Sequence, residues 1–285
     1  MRLKISHHTR YDYDRPVILN PHLLFLRPRE NPLQAVEAFS MDFQPAARVD
    51  WMRDDFDNLP ASARFAGESS FLEIRTQCEV TTADVGPFDF LVRDYAIVFP
   101  FQYEPLHRFN LGIYLKLPHE SAGQILSNWL DQRFQNRPSE TVSALFALNR
   151  CIQQSILYQR REDLGIQSAV TTISLGTGTC RDFATLLIEC ARMLGVAARF
   201  VSGYLFDPEI DTSLPGDMHA WAEVFLPGAG WRGIDPTHGV FCDNAYVPVA
   251  HAVVAESVNP VQGSFFSSPP ATSQLNASVD IQRLS

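Results

Sequence analysis

Clusters of lysine and arginine are missing from this sequence, and acidic residues outnumber basic ones. The chain of 285 residues contains 23 Lys and Arg against 32 Asp and Glu, which gives a formal net charge of −9 at pH 7. A protein that binds nucleic acid presents a basic face to the phosphates, and an acidic surface is repelled by anionic lipids. The composition therefore predicts that neither nucleic acid nor a membrane is a partner.

Long apolar runs are missing as well. The first residues, MRLKISHHTRYDYD, lack the apolar stretch of a secretory signal peptide. Nowhere do about 18 uncharged apolar residues follow one another, which is the length that a membrane-spanning helix requires. We therefore expect a soluble protein of the cytoplasm.

Cysteine is scarce and scattered, with no C-x-x-C pair and no histidines at zinc-finger spacing. This pattern argues against a disulfide framework and a structural zinc site, and it favours reduced thiols. The adjacent histidines His7 and His8 have no further ligands beside them, so we expect a strand or surface role for both. The five cysteines are Cys78, Cys151, Cys180, Cys190 and Cys242.

The first hundred residues have the two-residue periodicity of β-strands. In residues 37–43 and again in 72–80, apolar side chains alternate with polar ones, so one face of each strand is expected to be exposed to solvent. Turn-rich segments separate these strands, as in an antiparallel sheet or sandwich. We predict an N-terminal antiparallel β-sandwich-like domain over residues 1–105.

Helical periodicity replaces the strand pattern in the middle of the chain. Apolar residues recur three and four positions apart in 121–133 and 140–157, and Ser139 and Glu140 are start signals for the second helix. Strand-like segments follow at 198–206, 219–226 and 230–236.

Helices followed by strands indicate an α+β arrangement rather than a parallel doubly wound sheet. We place this core at residues 106–260. The remaining residues, 261–285, are predicted to form a loop and a C-terminal strand, with disorder as the alternative.

The segment GTGTCRDFATLLIECARMLG, residues 176–195, places a cysteine where a glycine-rich turn meets a helix. Its apolar spacing predicts a helix that begins near Thr179 and ends at Gly195. Cys180 then lies in the first turn, where free N–H groups and the helix dipole stabilise an anion and so favour the thiolate. Cys190 lies on the apolar stripe and is expected to be a core residue.

Two downstream segments supply partners for such a thiolate. His219 begins one predicted strand and Asp235 ends the next, with a short Gly/Pro loop between them. Adjacent antiparallel strands would bring both residues together, as a base and an orienting carboxylate. We expect His219 to pair with Cys180 and to protonate the leaving group, while Asp235 holds the ring. The N–H of Cys180 is one expected oxyanion donor, and the second donor cannot be assigned.

These segments resemble a known family. GTCRDFATLLIECARMLGVAARFVSGY and HAWAEVFLPGAGWRGIDPTHG are similar to the core of the bacterial transglutaminase-like proteins, which belong to the papain-like cysteine enzyme superfamily. HHTRYDYDRPVILNPHLLFLRPR is similar to the β-domain that precedes this core in many members. The family's usual Gly-Val-Cys stands here as Gly178-Thr179-Cys180.

The resemblance implies a helix bundle that carries the nucleophile, packed on an antiparallel sheet that carries the histidine and aspartate. The family's catalytic residues map to Cys180, His219 and Asp235. Its chemistry is acyl transfer from an amide through an acyl-enzyme, with water or an amine as acceptor. The chain has no recognisable calcium-binding loop, so no metal and no cofactor is predicted.

Three functions follow as alternatives. The favoured one is a cysteine peptidase or amidase that acts on a peptide or protein substrate. A transamidase of the same chemistry and a non-catalytic scaffold of the same fold are the others, and the oligomeric state stays open. Trp221 and Trp231 are candidates either for a substrate groove or for packing, and Glu223 shares a strand face with His219.

Overall fold

The computed structural model describes residues 1–118, 122–161, 165–207 and 218–284. The helices are α1 (Pro105–Asn110), α2 (Gly123–Arg133), α3 (Thr141–Ser155), α4 (Ala169–Leu175) and α5 (Cys180–Met193). The strands are β1 (Arg2–Leu19), β2 (His22–Leu24), β3 (Gln34–Gln44), β4 (Ala47–Trp51), β5 (Ala61–Phe65), β6 (Glu68–Thr82), β7 (Leu157–Tyr158), β8 (Thr177–Gly178), β9 (Ala198–Leu205), β10 (His219–Leu226), β11 (Gly230–Asp235), β12 (Val240–Phe241), β13 (Tyr246–Ala252), β14 (Val261–Gln262), β15 (Phe265–Phe266) and β16 (Ser273–Arg283).

The N-terminal region consists of two antiparallel sheets. The larger has the order β15-β1-β6-β3, with β16 also paired to β1, and the smaller has the order β14-β2-β5-β4. Apolar side chains from both sheets, among them Leu24, Ala63 and Leu72, are buried in one cluster. This arrangement agrees with the alternating sequence pattern, in which every second side chain of a strand faces the core.

The last strand returns to the beginning of the chain. β16 runs antiparallel to β1, with Leu3 opposite Arg283 and Tyr13 opposite Ser273. The residues after 260 therefore form strands on the N-terminal sheets. The division of the chain at residues 105 and 260 stays a prediction.

The core combines helices with a five-stranded antiparallel sheet in the order β12-β11-β10-β9-β13. α5 packs against β10, where Leu186 and Leu187 of the helix and Ala222 of the strand are fully buried. The helices predicted in 121–133 and 140–157 are α2 and α3, and the Glu140 carboxylate caps α3 by accepting from the N–H of Val142. The α+β prediction is confirmed.

Sequence patterns missed α1 and α4. They contain only six and seven residues, too few to show a helical period. α4 nevertheless matters for the site because it ends at Gly176, in the turn that leads to Cys180.

A polar bridge joins the N-terminal region to the core sheet at its edge strand β13. The side chain of Asn58 accepts from the backbone N–H of His251 at 2.9 Å and donates to the carbonyl of the same residue at 2.9 Å. Arg29 donates its backbone N–H to Pro248 at 2.9 Å. These bonds hold β13 in place, and β13 carries a side chain of the candidate site.

Within the described ranges, no helix is both long and apolar enough to cross a membrane. The cytoplasmic location stays a prediction.

Candidate active site

Cys180 is the first residue of α5, as the glycine-rich turn predicted. Gly176 adopts a φ of +67°, a left-handed conformation that suits glycine. Gly178 is required for a different reason, since a Cβ at this position would lie 2.8 Å from the Cβ of Asp182. Both glycines shape the turn from α4 into α5, and Cys180 is left partly exposed at its end.

Asp182 anchors this turn from inside the protein. Its carboxylate is fully buried and accepts the N–H of Thr179 at 2.7 Å and the N–H of Gln167 at 2.7 Å. Arg161 donates from Nη2 to both carboxylate oxygens, at 3.0 and 2.9 Å. No local sequence pattern indicates Arg161 as the partner of Asp182, because the two residues lie 21 positions apart. The pair ties the segment before α4 to the nucleophile's turn.

His219 and Asp235 share one face of the core sheet. β10 and β11 are antiparallel with Ala222 opposite Ile234, a register that places Trp221 opposite Asp235. Since alternate residues of a strand share a face, His219 lies on that face too. The Nε2 atom of His219 lies 2.8 Å from Oδ2 of Asp235. The expected pairing of these two residues is therefore present.

Cys180 lies beside the same histidine ring, because its side chain is among the groups that raise the pKa of His219. Because Nε2 of His219 faces Asp235, the other ring nitrogen, Nδ1, is the one available to the sulfur. Burial by itself would lower the pKa of His219, but the hydrogen bonds with Asp235 and Cys180 and the charges of both outweigh it and raise this pKa to about 10. The three predicted residues thus lie together at one place, and the raised pKa favours the imidazolium form of His219.

Asp235 is fully buried and receives more donors than the sequence predicted. Oδ2 accepts from Nδ1 of His238 at 2.6 Å and from the hydroxyl of Tyr246 at 2.8 Å, while Oδ1 accepts the N–H of Thr237 at 2.8 Å. Burial opposes ionisation, but hydrogen bonds from His219 and His238 and their charges hold the pKa of Asp235 far below its usual range. The carboxylate is therefore charged and fixed in direction.

Sequence reasoning missed both His238 and Tyr246. His238 stands three residues after Asp235, in the same turn, so its proximity was a usable signal. Tyr246 begins β13, which lies at the far side of β9 and β10 from β11 in the sheet order, and no local pattern indicates that its hydroxyl reaches Asp235.

The indole of Trp221 packs beside the His219 ring. The two rings are stacked with centroids 6.2 Å apart, and the indole meets the Tyr246 ring edge-on at 5.3 Å. A Cβ on Gly203 would lie 2.5 Å from the indole, and one on Gly233 would lie 3.3 Å from its Nε1. The two neighbouring strands therefore carry glycine where the indole needs space, and Trp221 has a packing role.

A groove of about 620 Å³ lies between the N-terminal region and the core sheet. Trp221 and Trp231 both line it, but among the described residues Cys180 and His219 do not. Glu223 is bound in an ion pair with Arg199 at 2.6 Å and makes no contact with the three candidate residues in the described part of the chain. Trp231 packs under the guanidinium of Arg199 at 4.1 Å.

The cysteines are not joined in disulfides, and the two N-terminal histidines lie within a strand. All five cysteines are free, as expected, and Cys190 is fully buried, which raises the pKa of its thiol. His7 is buried against Tyr204 at 3.1 Å, and His8 pairs with Glu73 at 2.7 Å. Both histidines lie on β1, so the predicted strand role is confirmed.

A cysteine at a helix N-terminus, beside a histidine that a carboxylate orients from the next strand, is the arrangement of papain-like cysteine enzymes. A family model described as the bacterial transglutaminase-like N-terminal region matches residues 3–81, and one described as the transglutaminase-like superfamily matches residues 129–236. The chain belongs to the transglutaminase-like superfamily, with the bacterial transglutaminase-like N-terminal region in front of its core. All three candidate residues lie within the second match.

Relatives of similar length match nearly the whole of this chain. An uncharacterised protein of Mycobacterium tuberculosis is 28% identical over 98% of this chain and 92% of the relative. An uncharacterised protein of Mycobacterium leprae is 24% identical over 99% of each chain. A crystal structure from Cytophaga hutchinsonii, provisionally named a cysteine protease, has 20% identity and a TM-score of 0.77, over 100% of this chain and 91% of that one. The last comparison supports the fold of the whole chain.

Proposed function

We propose that this protein is a cysteine hydrolase that cleaves an amide, peptide or isopeptide bond through Cys180, His219 and Asp235. The observation that carries the proposal is the position of the His219 ring, which is hydrogen-bonded to the buried carboxylate of Asp235 at 2.8 Å and has Cys180, the first residue of α5, as its other neighbour. An imidazole held in this way can take a proton from the thiol and return it to a leaving group.

In the first half of the reaction, the Cys180 thiolate attacks the carbonyl carbon of the substrate. The electron pair of the C=O bond moves onto oxygen, and a tetrahedral intermediate forms. When it collapses, the C–N bond breaks and the amine nitrogen takes the proton from Nδ1 of His219. The products are a free amine and a thioester on Cys180, and His219 is left neutral.

In the second half, water attacks the thioester carbon and gives a proton to Nδ1 of His219. The C–S bond breaks, the acid product leaves, and the thiolate–imidazolium pair returns. Asp235 stays ionised throughout, because its part is to orient the ring and stabilise its charge. The buried, multiply bonded carboxylate suits that part.

The developing oxyanion requires hydrogen-bond donors at the same place. The N–H of Cys180 belongs to the first turn of α5, where backbone N–H groups have no acceptor within the helix. Such a group and the positive end of the helix dipole favour negative charge beside the sulfur.

The test is turnover of a library of blocked fluorogenic peptide amides and isopeptides by the wild-type protein, a Cys180→Ala variant and a Cys151→Ala variant. Cys151 is also partly exposed, but its thiol lies against the Arg133 carbonyl, away from the site. We expect Cys180→Ala to abolish turnover and Cys151→Ala to retain it. Turnover that survives in Cys180→Ala refutes the proposal.

A fluorescent primary amine in the same assay tests the acceptor. If amine incorporation outpaces hydrolysis, the protein is a transamidase that uses the same three residues, and the choice of water as acceptor is wrong. We expect hydrolysis to dominate.

A further inference from the structure

Two histidines and one carboxylate oxygen converge at the Asp235 end of the site. Oδ2 of Asp235 lies 2.8 Å from Nε2 of His219 and 2.6 Å from Nδ1 of His238. One ligand atom from each of these side chains lies within 4.8 Å of the other two. We infer that His219, Asp235 and His238 form a binding site for Zn²⁺ or a related divalent transition metal ion, and that this ion acts as an inhibitor rather than as a cofactor.

The donor set matches this class of ion. Zinc binds imidazole nitrogen and carboxylate oxygen at about 2.0 to 2.2 Å, commonly with three protein ligands and one water. Donor atoms of a tetrahedral site therefore lie roughly 3.3 Å apart. The two histidine–Asp235 distances, now 2.8 and 2.6 Å, need to lengthen by roughly 0.5 to 0.7 Å. Hard ions such as Mg²⁺ and Ca²⁺ prefer all-oxygen sites and fit these donors poorly.

The turn of residues 235–238 supports such a site in two further ways. The N–H of Thr237 holds Oδ1 of Asp235 at 2.8 Å, which leaves Oδ2 as the single oxygen directed at both histidines. The hydroxyl of Thr237 is buried without a hydrogen-bond partner in the described part of the chain. An unpaired buried hydroxyl can still hydrogen-bond to a water that enters this turn.

An ion can reach the site from the His238 side. The side chain of His238 is 44% exposed, while those of Asp235 and His219 are 0% and 12% exposed. His238 thus connects the buried carboxylate to solvent. The ion would replace the two N–H protons that now point at Oδ2, and both imidazoles would bind it in their neutral form.

The inhibitory effect rests on the proposed hydrolase function. A metal on Nε2 of His219 leaves the only proton of the neutral ring on Nδ1, so the ring has no free lone pair with which to take a proton from the Cys180 thiol or from the attacking water. It also breaks the hydrogen bond by which Asp235 orients the ring. Loss of turnover that a chelator reverses is the expected result.

The competing explanation is zinc bound to the thiolate of Cys180, and the experiment removes it. Zinc binding is measured by isothermal titration calorimetry on the full-length Cys180→Ala protein, with His238→Asn and His8→Ala added to it separately. His8→Ala is a matched control, because His8 is 42% exposed and lies 2.7 Å from a buried carboxylate, that of Glu73. His238→Asn keeps a donor for Asp235 but loses a zinc ligand. Circular dichroism and thermal unfolding verify that each variant is folded.

We expect Cys180→Ala to bind one zinc ion per chain, His238→Asn to weaken binding by at least about tenfold, and His8→Ala to leave it unchanged. Absence of saturable one-to-one binding, or equal affinity in His238→Asn, overturns the inference. Because Cys180→Ala lacks the nucleophile, this result is independent of turnover. A failed metal test leaves the hydrolase proposal intact, and a chain without hydrolase activity can still pass it.

Discussion

The hydroxyl of Tyr246 donates to Oδ2 of Asp235 across 2.8 Å, although the two residues lie on strands that are not neighbours in the sheet. The acceptor is a fully buried carboxylate, and hydrogen bonds to charged groups contribute more than neutral ones. The bond therefore links β13 to the functional end of β11.

Removal of this hydroxyl tests the link. We predict that Tyr246→Phe lowers the free energy of unfolding by about 1.5 to 3 kcal/mol, because Asp235 loses one of its donors without gaining water. Tyr95→Phe is the control, since the Tyr95 hydroxyl is exposed and 3.4 Å from His107, and we expect a change within about 0.5 kcal/mol. Urea denaturation measures both. Equal losses of unfolding free energy in the two variants would show that the hydrogen bond from Tyr246 to Asp235 stabilises the protein no more than the exposed contact of Tyr95 does.

The buried acid–base pair gives stability a characteristic dependence on pH. The pKa of His219 rises from 6.5 to about 10 on folding, so its contribution is complete below pH 6.5 and disappears as the pH approaches 10. The pKa of Asp235 falls on folding from its usual 3.8, so its contribution is present above that pH and is lost in acid. The pair therefore stabilises the protein most between about pH 4 and 6.5.

His7 and His219 have pKa shifts in opposite directions, so the stability of their variants should depend on pH in opposite ways. The pKa of His7 falls from 6.5 to about 4 because of burial and the neighbouring charge of His8, so His7 costs stability as the pH falls below 6.5. We predict that the difference in unfolding free energy between wild type and His219→Gln shrinks from pH 6.5 to 10. For His7→Gln the difference should shrink from pH 6.5 to 4. Urea denaturation at several pH values measures both differences. If the difference in unfolding free energy between wild type and His219→Gln grows with pH, the prediction for His219 is wrong.

Asp182 is predicted to be a positioning residue for the nucleophile's turn. Asp182→Ala leaves the mostly buried guanidinium of Arg161 without its carboxylate, and loss of one partner from a buried pair costs about 3 to 5 kcal/mol. The control is Asp131→Ala, which breaks a pair with Arg137 in which the carboxylate is 70% exposed, and its effect should stay below about 1 kcal/mol. Chemical denaturation measures both variants. If Asp182→Ala costs no more unfolding free energy than Asp131→Ala does, the prediction is wrong, because water would then replace the carboxylate beside Arg161 at little cost.

Gly178 tests the steric part of the same turn. We predict that Gly178→Ala destabilises the protein by about 1 to 3 kcal/mol, because the new methyl group would lie 2.8 Å from the Cβ of Asp182 and the backbone must shift. Gly112→Ala is the matched variant, since nothing lies within 4 Å of its Cβ position and its φ is not left-handed. Thermal unfolding should separate the two variants, and identical melting temperatures would contradict the packing argument.

The sequence predicted the site residues whose signals lie close together in the chain, and it missed those that only folding brings together. Cys180 was found because a glycine turn, an apolar helix stripe and the thiol fall within twenty residues, and His219 and Asp235 because each ends or begins an alternating strand. Arg161 and Tyr246 carry no such signal, since only the folded chain brings them to Asp182 and Asp235. The strand β16 was visible as alternation, but its pairing with β1 is a long-range choice.

The proposed function depends on Cys180 being a reactive nucleophile that His219 activates. The most direct measurement is the rate of iodoacetamide alkylation at Cys180, followed by peptide mass spectrometry at neutral pH, in wild type, in His219→Ala and in the urea-unfolded chain. We predict that folded wild type reacts at Cys180 faster than the unfolded chain, and that His219→Ala loses this advantage. A Cys180 that reacts no faster in the folded protein than in the unfolded chain, or equally fast without His219, would contradict it.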